Sequence, residues 1–206
     1  MLAAVIVALG SDPSVVPLLE QGETTAPAKA APVCGYQVVN VYPHDPDAYT
    51  QGLLFAAGNL YESTGLYGES SVRRVVLDTG AVTQLHELEA SYFGEGLTLY
   101  GDVLFQLTWQ SNIAFAYDRD TFAELGQLAY PTQGWGLTND GTRMVMSDGS
   151  AFLYFRDPAT FAELGRVEVT DGGAAVTLLN ELEFVHGEVL ALCDQFPVPA
   201  EYVSNG

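Results

Sequence analysis

Hydrophobic and polar positions in this chain alternate in short runs, and turn residues break each run before a helix could form. Tyr36-Gln-Val-Val-Asn-Val-Tyr42 alternates as a strand does, and Pro43 ends it. Leu53-Leu-Phe-Ala56 gives way at Gly58-Asn59 to a second run, Leu60-Tyr-Glu-Ser-Thr64. Val72 to Leu77 stops at Asp78-Thr-Gly80, and Val103 to Trp109 follows Gly101-Asp102. Met144-Val-Met146 follows Asn139-Asp-Gly141, which is a hairpin signal. No stretch sustains a helical period, so the pattern predicts an all-β chain.

Two repeats run through these strands. In the first, Leu53, Leu97, Leu137 and Leu182 stand 44, 40 and 45 positions apart. The segments around them are Tyr49-Thr-Gln-Gly-Leu53, Tyr92-Phe-Gly-Glu-Gly-Leu97, Gln133-Gly-Trp-Gly-Leu137 and Leu178-Leu-Asn-Glu-Leu-Glu183. Just ahead of each leucine stands a different polar or aromatic side chain: Gln51, Glu95, Trp135 and Asn180. In the second repeat, Asp118-Arg-Asp-Thr-Phe-Ala-Glu-Leu-Gly126 and Asp157-Pro-Ala-Thr-Phe-Ala-Glu-Leu-Gly165 share six residues at a spacing of 39. Asp78-Thr-Gly80 stands forty before Asp118, giving three Asp-centred turns in register. Periods near forty with four strands each predict propeller blades. Blades beginning near Leu53, Leu97 and Leu137 have room for four strands, and the one near Leu182 has room for two.

Composition narrows the chemistry. The chain has 206 residues, 48% of them hydrophobic, which suits one folded domain with its own core. Its net charge is −19, from 26 Asp and Glu against 7 Lys and Arg. Nucleic acids and anionic membranes both need a basic patch, so neither is expected as a partner. The acidic balance reads first as a soluble, salt-adapted surface, and the sharper alternative is an electrostatic preference for cationic substrates such as a free α-amine. Cys34 and Cys193 allow one disulfide but no metal site, and the three histidines lack ligand spacing. Glu95 is singular because Gly94 and Gly96 flank it. The glycines let backbone approach closely, so this carboxyl is expected to be desolvated, with its pKa raised.

Residues 1–35 read as a signal-like segment and linker, and 36–206 as the domain. Leu2 to Leu9 is apolar and suits a signal-peptide core, although no Lys or Arg precedes it. That points to a secreted or periplasmic protein. Val33 stands where a lipobox needs a small residue, so no lipid anchor is expected at Cys34. Ser11 to Pro32 is rich in Pro, Ala and Thr and is expected to pack little.

Taken together with Leu60-Tyr-Glu-Ser-Thr-Gly-Leu-Tyr-Gly68, the four leucine segments resemble the plant and bacterial type of glutaminyl-peptide cyclotransferase, from about Tyr36 to Val189. The resemblance implies a five-bladed propeller that turns N-terminal glutamine of peptides and proteins into pyroglutamate and releases ammonia. It implies Glu95 as acid and base, Asn180 as a second catalytic residue bonding the amide oxygen, and Trp109 and Trp135 as walls. Gln51 and Glu62 would hold the amine or orient Glu95. Glu62 and Asn180 have a structural alternative as inter-blade hydrogen-bonding residues, and Tyr61, Tyr67, Phe105 and Phe115 read as core. The reaction needs no cofactor. Glu181 and Glu183 would line a central channel, where a propeller can also hold a cation such as calcium. A monomer is expected.

The resemblance weakens after Leu190. There the family continues with an Ala-Asn-apolar-Trp strand, whereas this chain reads Ala191-Leu-Cys-Asp-Gln-Phe-Pro-Val-Pro199. The expectation is that the final blade and its lysine are missing. The competing reading is a non-catalytic propeller that binds peptides or sugars on its funnel face.

Overall fold

The structure, a computed structural model, describes residues 38–193. These residues hold sixteen strands and no helix. The first sheet is β1 (Thr50–Ala56), β2 (Asn59–Thr64), β3 (Ser71–Val75) and β4 (Val82–Glu87), antiparallel in that order. The second is β5 (Gly94–Tyr100), β6 (Val103–Thr108), β7 (Ile113–Asp118) and β8 (Glu124–Ala129). The third is β9 (Leu137–Asn139), β10 (Met144–Met146), β11 (Phe152–Arg156) and β12 (Glu163–Glu168). A short hairpin follows, β13 (Thr170–Asp171) with β14 (Ala174–Ala175), and then the pair β15 (Leu179–Val185) and β16 (Glu188–Cys193).

First strands adjoin in succession: β1 lies beside β5, β5 beside β9 and β9 beside β15. Apolar layers fill the gaps between sheets. Leu54, Tyr61 and Val72 meet Leu97, Leu104 and Phe122, while Phe105 and Tyr130 meet Met144 and Phe161. Leu153 and Val145 meet Leu179 and Leu182. Burial falls from the inner strands to the outer: β5 opens with five buried residues, whereas β8 and β12 are largely exposed. Sheets stacked about a common axis with their first strands innermost are blades of a β-propeller. Three blades of four strands and two strands of a fourth are described, as the repeat predicts.

The second repeat has a packing explanation. Asp118 Oδ1 accepts from the backbone N–H groups of Asp120 and Thr121 and from the Thr121 hydroxyl, at 3.2, 2.8 and 2.6 Å. Asp157 Oδ1 does the same with Ala159 and Thr160. The threonine bonds hold both carboxyls below the usual aspartate range. These turns drive Phe122 and Phe161 to φ of 57° and 60°, in the left-handed region. Each ring is buried against the preceding blade, Phe122 on Tyr61 and Phe161 on Phe105 and Tyr130. The first blade corrects the expected register. Gly80 N bonds Val76 O as Phe122 N bonds Asp118 O, so Val76, not Asp78, is the counterpart of Asp118.

Two further expectations differ. The described part of the strand expected over Tyr36–Tyr42 is not a strand, and Val38, Val39 and Val41 are 62%, 83% and 85% exposed. No strand among the described residues pairs that backbone. The residues just after it are instead pinned to the face of the first blade, Asp45 on Arg73 at 2.8 Å and His44 on Glu62 at 2.7 Å. Tyr61, Phe105 and Phe115 are core as expected, but Tyr67 is 53% exposed because it lies in the β2–β3 connection. The expectations for residues 1–35, and those resting on Pro197 and Pro199, lie outside the described residues.

The axis is crowded. A Cβ on Gly52 would lie 2.5 Å from Leu97 N, and one on Gly96 would lie 2.5 Å from Leu137 N. On Gly136 it would collide with the Asn180 carbonyl. The fourth blade carries Glu181 where these three carry glycine. Glu181 Oε1 accepts from Leu53 N at 3.3 Å, and Oε2 is shut off from solvent with no hydrogen-bond partner among the described residues. Burial pushes this carboxyl well above the usual glutamate range, and the Glu183 and Glu95 carboxylates add to the shift.

Phe161→Ala should cost about 3–5 kcal/mol in denaturant unfolding, because the ring joins two blades. Leu164→Ala, in the same repeat but exposed, should change stability by no more than about 0.5 kcal/mol. Glu181 predicts a pH dependence. Folding raises its pKa, so the neutral group adds stability that is complete below the ordinary value of 4.5 and vanishes as pH climbs through the raised one. Glu181→Gln should remove that portion of the downward slope. Unfolding midpoints recorded from about pH 4 to about pH 8 measure it.

Candidate active site

Three of the four residues that precede the anchoring leucines sit where strand pairing slips. β1 pairs Thr50 with Thr64 and then Gly52 with Ser63, leaving Gln51 out of register. β5 pairs Gly94 with Thr108 and then Leu97 with Gln106, skipping Glu95 and Gly96. β15 pairs Leu179 with Cys193 and then Leu182 with Ala191, skipping Asn180 and Glu181. A bulge re-aims the side chain it carries. Trp135 lies two residues ahead of β9, and there Trp135 N bonds Ser147 O and Ser147 N bonds Gly136 O.

Hydrogen bonds tie these positions across blades. Glu95 is 5% exposed, and its Oε2 accepts from Gln51 Nε2 at 2.8 Å. The backbone on either side of it is fixed: Gly94 N donates to Ser70 Oγ at 3.0 Å and Gly96 N to Trp135 O at 2.7 Å. Ser147 Oγ accepts from Gly136 N and donates to Asn180 O, both at 2.7 Å. Gln51, Glu95, Trp135 and Asn180 therefore stand on one connected framework at the inner strands.

Aromatic rings gather around Phe93, two residues before Glu95. Trp109 N bonds Phe93 O, and the Trp109 and Phe93 rings meet edge to face at 5.6 Å. Phe93 also meets Tyr67 at 5.5 Å and Tyr49 at 6.2 Å, each near edge to face. Trp135 lies over Gly149, whose φ is +80° and where a Cβ would come within 2.7 Å of the indole. Both indole N–H groups donate to Gln133 Oε1, Trp109 at 2.8 Å and Trp135 at 3.0 Å. Sequence reasoning singled out the two tryptophans but missed Tyr49, Phe93 and Gln133. A signal was present. Each stands two positions before Gln51, Glu95 or Trp135, the same offset in three repeats.

Glu62 is placed elsewhere. It is 1% exposed, and its Oε1 accepts from Thr50 Oγ1 at 2.6 Å and pairs with His44 Nε2 at 2.7 Å. Arg73 stands 4.0 Å from its other oxygen. Those bonds fasten residues 44–50 to the first blade, so Glu62 serves a structural latch, whereas Gln51 bonds Glu95 directly. Among the described residues no three His, Cys, Asp or Glu side chains gather where a cation could sit. Glu181 and Glu183 supply only two carboxylates near the axis. A buried carboxylate steadied by an amide donor can take a proton from a bound group and return it.

The chain was compared with known proteins. Residues 14–193 match the model of the glutamine cyclotransferase family. A glutaminyl-peptide cyclotransferase of Arabidopsis thaliana is 47% identical over 157 residues, which make up 75% of this chain and 49% of that protein. The chain thus spans about half the length of that curated relative. Among solved structures, the glutaminyl cyclase of Myxococcus xanthus superposes with a TM-score of 0.72 at 33% identity, over 77% of this chain and 67% of that one. The WD40 domain of Neurospora crassa Pan2 superposes with a TM-score of 0.55 at 13% identity, over 69% of this chain and 41% of that one, and shares the fold alone. With the family model covering most of the chain, and the repeat and the flanked carboxylate both lying inside the match, this chain belongs to the glutamine cyclotransferase family.

Proposed function

We propose that this chain carries the site of a glutaminyl-peptide cyclotransferase, acting on peptides and proteins with N-terminal glutamine. The carrying observation is Glu95, a buried carboxylate held by the Gln51 amide at 2.8 Å. The α-amine nitrogen attacks the side-chain amide carbon, and Glu95 takes the proton that the amine must lose. A C–N bond forms and the amide π bond becomes a C–O⁻. Glu95 then returns the proton to the leaving nitrogen, the old C–N bond breaks, and ammonia departs from the lactam. In this reading Asn180 donates to the developing oxyanion. Trp109, Trp135 and Phe93 hold the substrate folded on itself, which brings amine and amide together. Gln51 keeps the Glu95 oxygen aimed.

No cofactor enters this reading. A cation such as calcium at Glu181 and Glu183 would need donors besides these two. The acidic surface, at net −19, favours approach of a protonated α-amine. The apolar run from Leu2 to Leu9 supports a secreted or periplasmic setting. A propeller that only binds peptides or sugars would have no use for a glycine-flanked carboxylate excluded from water.

Ammonia release from Gln-peptides tests the reading. Glu95→Gln should lower turnover by about a hundred- to ten-thousand-fold, because an amide can neither accept nor return the proton. Glu69→Gln, on an exposed loop residue, should leave it unchanged. Ammonia release that is absent in the chain itself, or equal in Glu95→Gln, would overturn the assignment.

A further inference from the structure

We propose that Gln133 is the positioning residue that sets the two tryptophan walls against one another. An indole has one hydrogen-bond donor and no acceptor. Both indoles of this chain aim that donor at the same atom, Gln133 Oε1, from 2.8 and 3.0 Å. Because both partners can only donate, the Gln133 carbonyl must face them and its NH2 must turn away. A carbonyl oxygen has two lone pairs and accepts both bonds. The polar edges of Trp109 and Trp135 are thereby drawn to one point, and rotation of either ring disturbs the other through the shared acceptor.

The backbone supports the arrangement. Gly134 N donates to Trp109 O at 3.0 Å, and Trp135 N donates to Ser147 O at 3.1 Å, so the segment after Gln133 is pinned to Trp109 on one side and to the residue after β10 on the other. The Asn112 side chain donates to Thr132 O on its other side. Gln133 itself is exposed. Its amide contributes little to the core, and its role is to fix an angle. The consequence for catalysis rests on the cyclotransferase reading. A substrate that must fold back on itself is held by the spacing of those walls, so a loosened pair still binds peptide but populates the reactive conformer less.

Gln133→Leu removes the acceptor and keeps the bulk, whereas Gln133→Glu restores two lone pairs at the same place. The chain contains two tryptophans, so the indole N–H vibration in ultraviolet resonance Raman spectra reports these walls and nothing else. The hydrogen-bond signature should shift at both indoles in Gln133→Leu, where water takes the place of the carbonyl, and stay near that of the parent in Gln133→Glu, with thermal unfolding unchanged in each. In the ammonia assay, kcat should fall about tenfold in Gln133→Leu with KM within about twofold, and Gln133→Glu should recover most of the loss. The proposal is overturned if Gln133→Leu leaves the signature intact, alters one indole only, or lowers kcat no more than Gln133→Glu. If neither variant nor the parent releases ammonia, the cyclotransferase reading fails on its own, while the spectra still decide whether Gln133 governs the walls.

Discussion

Adjacent inner strands approach so closely at the axis that one methyl group on Gly52, Gly96 or Gly136 would strike the next strand. Much of the site follows from that approach. Glycine in a strand costs roughly 0.5–1 kcal/mol relative to alanine. Here the cost is offset by inter-blade bonds such as Gly96 N to Trp135 O, each worth about 0.5–1.5 kcal/mol. Ser147 extends the same line to Asn180. With the axial space filled by backbone, the side chain just before each glycine is driven out of the strand register, and a bulge is the backbone form this takes at Gln51 and Glu95. One crowding constraint thus places the catalytic candidates and exempts their identities from the packing pattern.

Much of the fold was legible because repetition and burial share a period. Leu97, Leu137 and Leu182 are each almost fully buried, at 1%, 0% and 1% exposure, as an anchor repeated in successive blades must be. Leu53 is 40% exposed, since no described blade covers the face of β1 that carries it and Phe55. The Thr-Phe-Ala-Glu-Leu-Gly repeat was legible as a turn, yet its purpose was not. Only the left-handed φ at Phe122 and Phe161 reveals that the turn aims an aromatic ring into the neighbouring blade. The valines at 38, 39 and 41 show the opposite limit. Alternation describes what a strand would need, but pairing depends on a neighbour that local sequence does not encode.

The site was legible to a similar depth. Glu95 stood out because two glycines flank a carboxylate, a local signal with a direct physical reading. Glu62 misled because a buried carboxylate looks alike in a pocket and in a latch, and only its partners His44 and Thr50 separate the two. Gln133 was missed because its mark lies in the offset it shares with Tyr49 and Phe93 across the repeats, not in the residues next to it. Its role arises when a tryptophan from 24 positions earlier in the chain turns to the same oxygen.

The dispersal of the site along the chain bears on how the protein comes into being. Gln51 and Asn180 are separated by 129 positions (180 minus 51), with Glu95 and Trp135 between them. At synthesis rates of about 5–20 residues per second, their emergence is spread over on the order of ten seconds. Gln51 must wait for Glu95, 44 residues on, before its amide has a partner. Between the emergence of Glu95 and that of Asn180 the nascent chain holds a carboxylate niche without its far wall. Each later blade must close a long loop onto the inner strand before it, which makes assembly slow and sequential. The ordering that spreads the site over four blades also makes it a late feature to mature among the described residues.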